Sequence, residues 1–126
     1  MKYVIDVYRE DKQWLGESRD LPAAHTFAKN LVLLDQYMRE AIAVAQNLPV
    51  GAEGSLDLEY VYRDVPQFVI DAAEIGRRRR QAERDIAEAN LAARQAAATL
   101  KSAGYSVRDA AQLLEVSPGR ISQMAA

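Results

Sequence analysis

The last residues of the chain carry the pattern that most restricts its fold. Residues 106–124 read SVRDAAQLLEVSPGRISQM, in which two short apolar repeats flank Glu115. Ser106 is a preferred helix cap, and Ser117 followed by Pro118 is a typical helix start because proline at the first helical position loses no hydrogen bond. Small and apolar residues stand where two crossing helices would share a core, namely Ala110, Ala111, Leu114, Val116, Ile121 and Met124. The spacing predicts a helix, a tight turn and a second helix, with a positive φ at Glu115 that costs about 1 kcal/mol.

This segment resembles the DNA-binding helix-turn-helix of many bacterial regulators, although an ordinary helical hairpin is the alternative. A recognition helix presents its N-terminal residues to base edges in the major groove. Arg120 is the first candidate for a base contact, with guanine preferred, and Gln123 is the second. Ser117 and Ser122 are candidates for phosphate contacts at the helix start. The predicted DNA-binding set is Ser117, Pro118, Gly119, Arg120, Ser122 and Gln123.

Composition excludes several classes of protein. The chain has 126 residues, of which 49% are hydrophobic, so it is long enough for one ordinary domain or two small ones. It contains no cysteine, which excludes disulfides and thiolate metal sites. No apolar run is long enough to cross a membrane, and the N-terminus lacks the features of a signal peptide. We therefore expect a cytoplasmic protein with no membrane partner.

Charge differs between the two halves. Residues 1–63 carry 7 Lys/Arg and 10 Asp/Glu, a net charge of −3, whereas residues 64–126 carry 9 and 8, a net charge of +1. An acidic half suits a basic protein partner better than a nucleic acid. The weak positive charge of the second half implies modest DNA affinity per monomer, so we expect a homodimer or tetramer to gather enough phosphate contacts.

The sequence of the first half has the period-two pattern of strands, except for one helical stretch. Period-two patterns predict strands in residues 3–8, 13–18, 25–27 and 56–62. Between the third and fourth, Asn30 can cap a helix whose apolar face repeats at helical spacing until Pro49. Residues 1–63 therefore read β-β-β-α-β and are assigned to one domain.

Residues 64–126 read as an all-α second domain, which makes the fold class α+β. A long helix begins at Pro66 and ends near Ala103, with a kink or boundary expected at Gly76. Its seam of apolar residues is mostly alanine and comprises Ile75, Ala82, Ile86, Ala89, Ala93, Ala96 and Leu100. We expect this helix to pack on the helix-turn-helix and on a second copy of itself.

Four further features admit two interpretations each. Arg77–Arg80 is either a phosphate-contacting patch or, as we prefer, a solvated helix face paired with nearby acidic residues. His25 is the only histidine, so a polar residue at a strand edge is favoured over a metal ligand. The acidic residues Asp6, Glu40, Asp57 and Glu59 could form a magnesium site of a nuclease, but Asp57 and Glu59 share one polar strand face, which favours a solvated face. The aromatic residues of the sheet half lack interleaved Lys or Arg, which favours core or protein-interface packing over base stacking.

The order of elements, together with three short motifs, resembles the HicB antitoxin family. These motifs are the opening Met1–Tyr3, the segment Asp20-Leu21-Pro22 before the third strand, and Glu40-Ala41-Ile42 in the helix. The resemblance covers essentially the whole chain, because one branch of the family carries a C-terminal helix-turn-helix. It implies a non-catalytic, partial ribonuclease-H-like N-terminal half, with no catalytic residues, metal or cofactor.

The resemblance further implies the partners and the mechanism. The N-terminal half would occlude the active site of a small, basic, HicA-like toxin that cleaves RNA and has a double-stranded-RNA-binding-like fold. The C-terminal half would bind double-stranded operator DNA and repress its own operon, with half-sites about one DNA turn, roughly 34 Å, apart. Two other functions are left open. One is a stand-alone helix-turn-helix transcription regulator with no toxin partner, and the other is an interaction module that has lost DNA binding.

Overall fold

The fold is α+β, as predicted, and the computed structural model describes residues 2–124. Its strands are β1 (Lys2–Glu10), β2 (Gln13–Ser18), β3 (His25–Ala28) and β4 (Asp57–Tyr62). Its α-helices are α1 (Leu31–Ala45), α2 (Gln67–Ser102), α3 (Val107–Leu114) and α4 (Pro118–Met124), and a 3-10 turn occupies Ala52–Ser55. The predicted order β-β-β-α-β, followed by a long helix and two short ones, is confirmed.

The four strands form one mixed sheet in the order β3-β2-β1-β4. β1 pairs antiparallel with β2, and β2 pairs antiparallel with β3, so these three strands form a meander. β4 returns parallel to β1, with Ile5 opposite Tyr60. A parallel return needs a crossover, and α1 supplies it between β3 and β4.

One face of the sheet and one face of α1 form the core of the first half. Asn30 caps α1 by accepting a hydrogen bond from the Leu33 N–H at 2.8 Å. The fully buried side chains come from both elements and include Ile5 and Val7 of β1 with Leu34, Met38 and Ile42 of α1. Each such burial contributes roughly 1.5–3 kcal/mol, so this layer is the main source of stability for the half.

Gly16 lets the sheet and α1 approach closely. A Cβ placed on Gly16 would lie 3.2 Å from the Met38 sulfur and 3.4 Å from Cγ2 of Ile5. The distance to the Met38 sulfur is tighter than an ordinary van der Waals contact, and the distance to Ile5 is at its lower limit. A side chain at this position of β2 would therefore require Met38 to move by a few tenths of an ångström.

A buried carboxylate ties three parts of the sheet together. The side chain of Asp6, which is 11% exposed, accepts hydrogen bonds from Arg19 Nη2 and Arg63 Nε, both at 2.7 Å. The Arg19 guanidinium holds the pKa of Asp6 below its ordinary value, and Arg63 acts in the same direction against the opposing effect of burial. Asp6 thus links β1 to the loop after β2 and to the end of β4.

A second polar cluster joins α1 to β4 and to the turn before it. The Tyr60 hydroxyl donates a hydrogen bond to Asp35, whose other oxygen accepts from Arg39 Nε at 3.0 Å. Arg39 also donates to the carbonyl oxygens of Glu53 at 3.2 Å and Leu56 at 2.7 Å. Burial and the bond to Asp35 raise the pKa of Tyr60 above its usual range, so the phenol stays neutral.

The chain divides into two compact units, Met1–Ala73 and Glu74–Ala126, and α2 enters both. The division predicted between residues 63 and 64 stays a prediction. Gly76 does not end the helix, because α2 continues through it to Ser102. None of the helices in residues 2–124 combines the length and apolar composition that a bilayer crossing requires.

Candidate DNA-binding and protein-binding surfaces

The predicted capping residues define the two short C-terminal helices. The Ser106 hydroxyl accepts a hydrogen bond from the Asp109 N–H at 3.1 Å and begins α3. The Ser117 hydroxyl accepts from the Arg120 N–H at 3.3 Å, and Pro118 is the first residue of α4. Glu115 ends α3 in the left-handed conformation, with φ 55° and ψ 44°, as predicted. The predicted helix, tight turn and second helix are therefore confirmed.

A small core holds these helices on the end of α2. Its buried residues are Ala97, Ala110, Ala111 and Ile121, flanked by the half-buried Leu100, Leu114, Val116 and Met124. Three of the four buried residues are alanines, which let backbones approach but bury little area. The predicted packing of α2 on the helix-turn-helix is confirmed at this end of the helix.

The residues predicted to contact DNA lie together on the exposed side of α4 and its cap. Ser117, Pro118, Gly119, Arg120, Ser122 and Gln123 are all exposed, whereas Ile121 between them is buried and anchors the helix. The Ser122 hydroxyl donates to the Pro118 carbonyl oxygen at 3.4 Å, but it stays on the surface. A Cβ on Gly119 would meet no atom within 4 Å, so backbone can approach a ligand there.

A concavity beside the start of α4 adds residues that the prediction missed. It is lined by Arg108, Ala111, Gln112, Glu115, Val116 and Pro118. Arg108 and Gln112 are exposed polar residues four positions apart, so they share a face of α3. The four-residue spacing of Arg108 and Gln112 was a usable signal, because it places both on one face of α3.

Positive and negative charges balance within α3, α4 and their caps. Within residues 106–124 the basic residues are Arg108 and Arg120, and the acidic residues are Asp109 and Glu115. Arg77–Arg80 lie on α2 and are all exposed. The ion pairs among the described residues all fall in the sheet half and include none of these four arginines. Whether the run contacts phosphates stays a prediction.

An apolar row crosses the sheet face that is opposite α1. Tyr8 pairs with Leu15, and Leu15 pairs with Phe27, so the three side chains lie side by side on three neighbouring strands. The exposed fraction of Phe27 is 62%, and Tyr8 and Leu15 are partly exposed. Glu17 and Glu59 lie on the same face and are exposed. This surface is suited to a partner that presents apolar and basic groups.

A shallow cleft lies on the other side of the sheet half, between β3 and α1. It is lined by Ala23, Thr26, Tyr37, Glu40, Ala41, Val44 and Ala45. The exposed fractions of Val44 and Tyr37 are 82% and 37%. The cleft is a second surface on which a protein could dock, although it lacks the three-strand row of the sheet face.

The residues considered for metal binding are not brought together. Residues 2–124 contain no cluster of three or more His, Cys, Asp or Glu side chains that could hold a metal ion. Asp6 is held by two arginines, while Asp57 and Glu59 are exposed on β4. His25 lies at the start of the edge strand β3, and its Nδ1 is 3.0 Å from the Pro22 carbonyl oxygen.

Comparison with known proteins adds no relative. No family model matches the chain, and neither a curated protein sequence nor a solved structure matches it. The functional proposal must therefore stand on the chain's own residues.

Proposed function

We propose that this protein is a HicB-type antitoxin of a toxin–antitoxin pair, which masks a small HicA-like RNA-cleaving toxin and represses its own operon. The observation that carries the proposal is the pairing, in one chain, of a capped helix-turn-helix with a separate acidic sheet unit. The mixed sheet, with its crossover to a parallel fourth strand, is compatible with the partial ribonuclease-H-like half that the resemblance implies. The protein acts by binding and is not an enzyme in this proposal.

The DNA-binding half supports the proposal through the exposed end of α4. Arg120 and Gln123 are exposed on a helix that is anchored by the buried Ile121, so their side chains are free to enter a major groove. Arg120 would bind a guanine edge, and Ser117 would bind phosphate at the helix start. Because positive and negative charges balance locally, one copy makes few phosphate contacts. A homodimer or tetramer on double-stranded operator DNA follows from this balance.

The toxin-binding half supports the proposal through its charge and its apolar row. A net charge of −3 over residues 1–63 favours a basic partner and raises the rate of encounter with it. The row formed by Tyr8, Leu15 and Phe27 offers the apolar centre that protein interfaces need within a polar rim. Phe27 is the expected anchor, because it is the most exposed residue of the row and large aromatic side chains dominate interface energies.

Co-expression with a candidate toxin tests this half. The chain is produced with the product of the adjacent small open reading frame, with a tag on one partner only. The expected results are a stable complex and growth arrest when the neighbour is expressed alone. Phe27→Ser should weaken the complex by more than 1 kcal/mol. Val50→Ser is the matched control, since Val50 is fully exposed on a loop. The absence of both a complex and toxicity would favour the stand-alone transcription regulator.

Binding to the DNA upstream of the gene tests the other half. Arg120→Ala should weaken binding by about 1–3 kcal/mol and relax the base preference at one position of each half-site. Arg94→Ala is the control, because Arg94 lies on α2 outside the helix-turn-helix. Unchanged affinity after Arg120→Ala would show that the recognition helix is wrongly assigned.

A further inference from the structure

The middle of α2 is exposed on all sides within one chain. Every residue from Glu74 to Ala92 is exposed, including Ile75 at 55% and Ile86 at 60%. At 1.5 Å per residue this stretch is roughly 28 Å long. Long helices in water depend on packing of an apolar face, and packing inside the described chain contributes little here. A partner that covers the isoleucines would supply this packing.

Two sets of residues repeat every seven positions along α2, from Ala72 to Ala89. Ile75, Ala82 and Ala89 form one set, and Ala72, Arg79 and Ile86 form the other. The sets alternate at spacings of three and four, which is the a and d pattern of a left-handed coiled coil. We call these six positions the α2 seam. The seam runs toward Ala97, where α2 is buried against its own helix-turn-helix, so a second helix has access only before that point.

We propose that the α2 seam binds the same seam of a second copy of this chain, with the two helices antiparallel. The inference rests on the homo-oligomer of the proposed function and adds its interface and orientation. Pairing about a midpoint between residues 80 and 81 places Ile75 opposite Ile86 of the partner subunit. It also places Arg79 opposite the partner's Ala82, and Ala72 opposite the partner's Ala89. The isoleucines of the two copies therefore contact each other, and Ala82 leaves room for the partner's Arg79.

Arg79 decides the orientation. A parallel pair would stack two Arg79 guanidiniums in one layer of the seam, where like charges out of water repel strongly. An antiparallel pair sets each Arg79 against a small alanine, so its long side chain can extend to the solvent at the edge of the seam.

The flanking charges agree with this orientation. Arg78 and Asp85 both take the g position, and an antiparallel pair brings each Arg78 next to the partner's Asp85. A parallel pair would match Arg78 with the partner's Glu83, so these flanks alone do not select an orientation. Together with the Arg79 layer, they make the antiparallel pair complementary in both shape and charge.

The orientation changes the expected operator. The two Ala97 residues, on which the helix-turn-helix units pack, would lie on opposite sides of the midpoint, roughly 50 Å apart at 1.5 Å per residue. One turn of DNA spans about 34 Å. Half-sites more than one turn apart then become the spacing that the dimer favours.

Disulfide trapping reads the orientation directly, because the natural chain has no cysteine. Full-length Ile75→Cys and Ile86→Cys variants are oxidised separately and after mixing. The proposal expects a disulfide-linked dimer chiefly in the mixture, because bridged Cα atoms must lie within about 7 Å and the two positions are roughly 16 Å apart along one helix. Efficient crosslinking of each variant alone would show a parallel pair and overturn the proposal.

A matched pair of charge substitutions tests the seam itself. Ile86→Glu should shift the mass measured by light scattering from dimer to monomer, at concentrations where the natural chain is dimeric. Leu91→Glu should leave the dimer intact, because Leu91 is 56% exposed on α2 but lies outside the seam. Neither side chain is packed within the chain, so circular dichroism should show both variants folded.

Monomeric natural protein at all concentrations, or equal effects of the two substitutions, would refute the seam. These measurements use neither DNA nor toxin. Their failure would remove the homo-oligomer but leave toxin binding to the co-expression test, and failure of the co-expression test would leave the dimer untouched.

Discussion

Replacing Asp6 by asparagine should destabilise the sheet half without changing its shape. The change removes the negative charge that accepts hydrogen bonds from Arg19 and Arg63, both at 2.7 Å. A hydrogen bond to a charged group contributes about 1.5–3 kcal/mol. Both arginine side chains are 45% exposed, so water screens part of this energy, and the asparagine oxygen keeps one acceptor. We expect a loss of about 1–3 kcal/mol in the free energy of unfolding.

The pH dependence of this loss gives a sharper test than its size. Because the folded pKa of Asp6 is lowered from 3.8, its contribution is fully present above that pH and is lost as the pH falls through the folded pKa. The difference between the natural chain and Asp6→Asn should therefore be constant near neutral pH and shrink below about pH 3.8. Urea unfolding followed by tryptophan fluorescence at several pH values measures it, since Trp14 packs against Tyr62 in this half.

The control is Asp57→Asn, which removes an exposed carboxylate from β4. It should change the free energy of unfolding by less than about 0.5 kcal/mol. Equal stability of Asp6→Asn and the natural chain at pH 7, or a deficit that does not shrink in acid, would refute the role given to this carboxylate.

Two further predictions concern packing and burial in the same half. Gly16→Ala should lower the free energy of unfolding by about 1–3 kcal/mol, because it crowds Met38. This loss should be smaller when Gly16→Ala is combined with Met38→Ala, and additive losses in urea unfolding would contradict the contact. Tyr60→Phe should cost about 1 kcal/mol at neutral pH by removing the bond to Asp35. The difference in the free energy of unfolding should narrow above pH 10.0, where the tyrosine ionises in the unfolded chain but stays protonated in the folded one. A deficit that is constant to high pH would contradict the buried phenol.

Local patterns were enough to predict the elements of this chain. A period-two pattern marks β1 and β4. Asn30, Ser106 and Ser117 mark helix starts, because side-chain oxygens there satisfy otherwise unpaired N–H groups. The left-handed turn at Glu115 was predictable from the helix-turn-helix pattern, in which glycine often occupies that position. These features depend on residues within a few positions of one another.

Features that depend on distant residues were not predictable in the same way. The cluster around Asp6 joins residues 13 and 57 positions away, so the sequence showed only an acidic residue on a strand. The apolar row from Tyr8 to Phe27 depends on the register of three strands, which alternation alone does not set. Phe27 could therefore be assigned to core or interface packing, and its exposure favours the interface.

The small core under the helix-turn-helix links the proposed DNA binding to the state of α2. Three of its four buried residues are alanines, so this unit gains little stability from its own packing. It therefore depends on a helical end of α2, and that end is continuous with the exposed stretch that includes Ile75 and Ile86. Covering those isoleucines by a second copy would stabilise the helix and supply a second recognition helix together. DNA affinity should then rise steeply with protein concentration, and Ile86→Glu should remove that steepness while Arg120 and its neighbours stay unchanged.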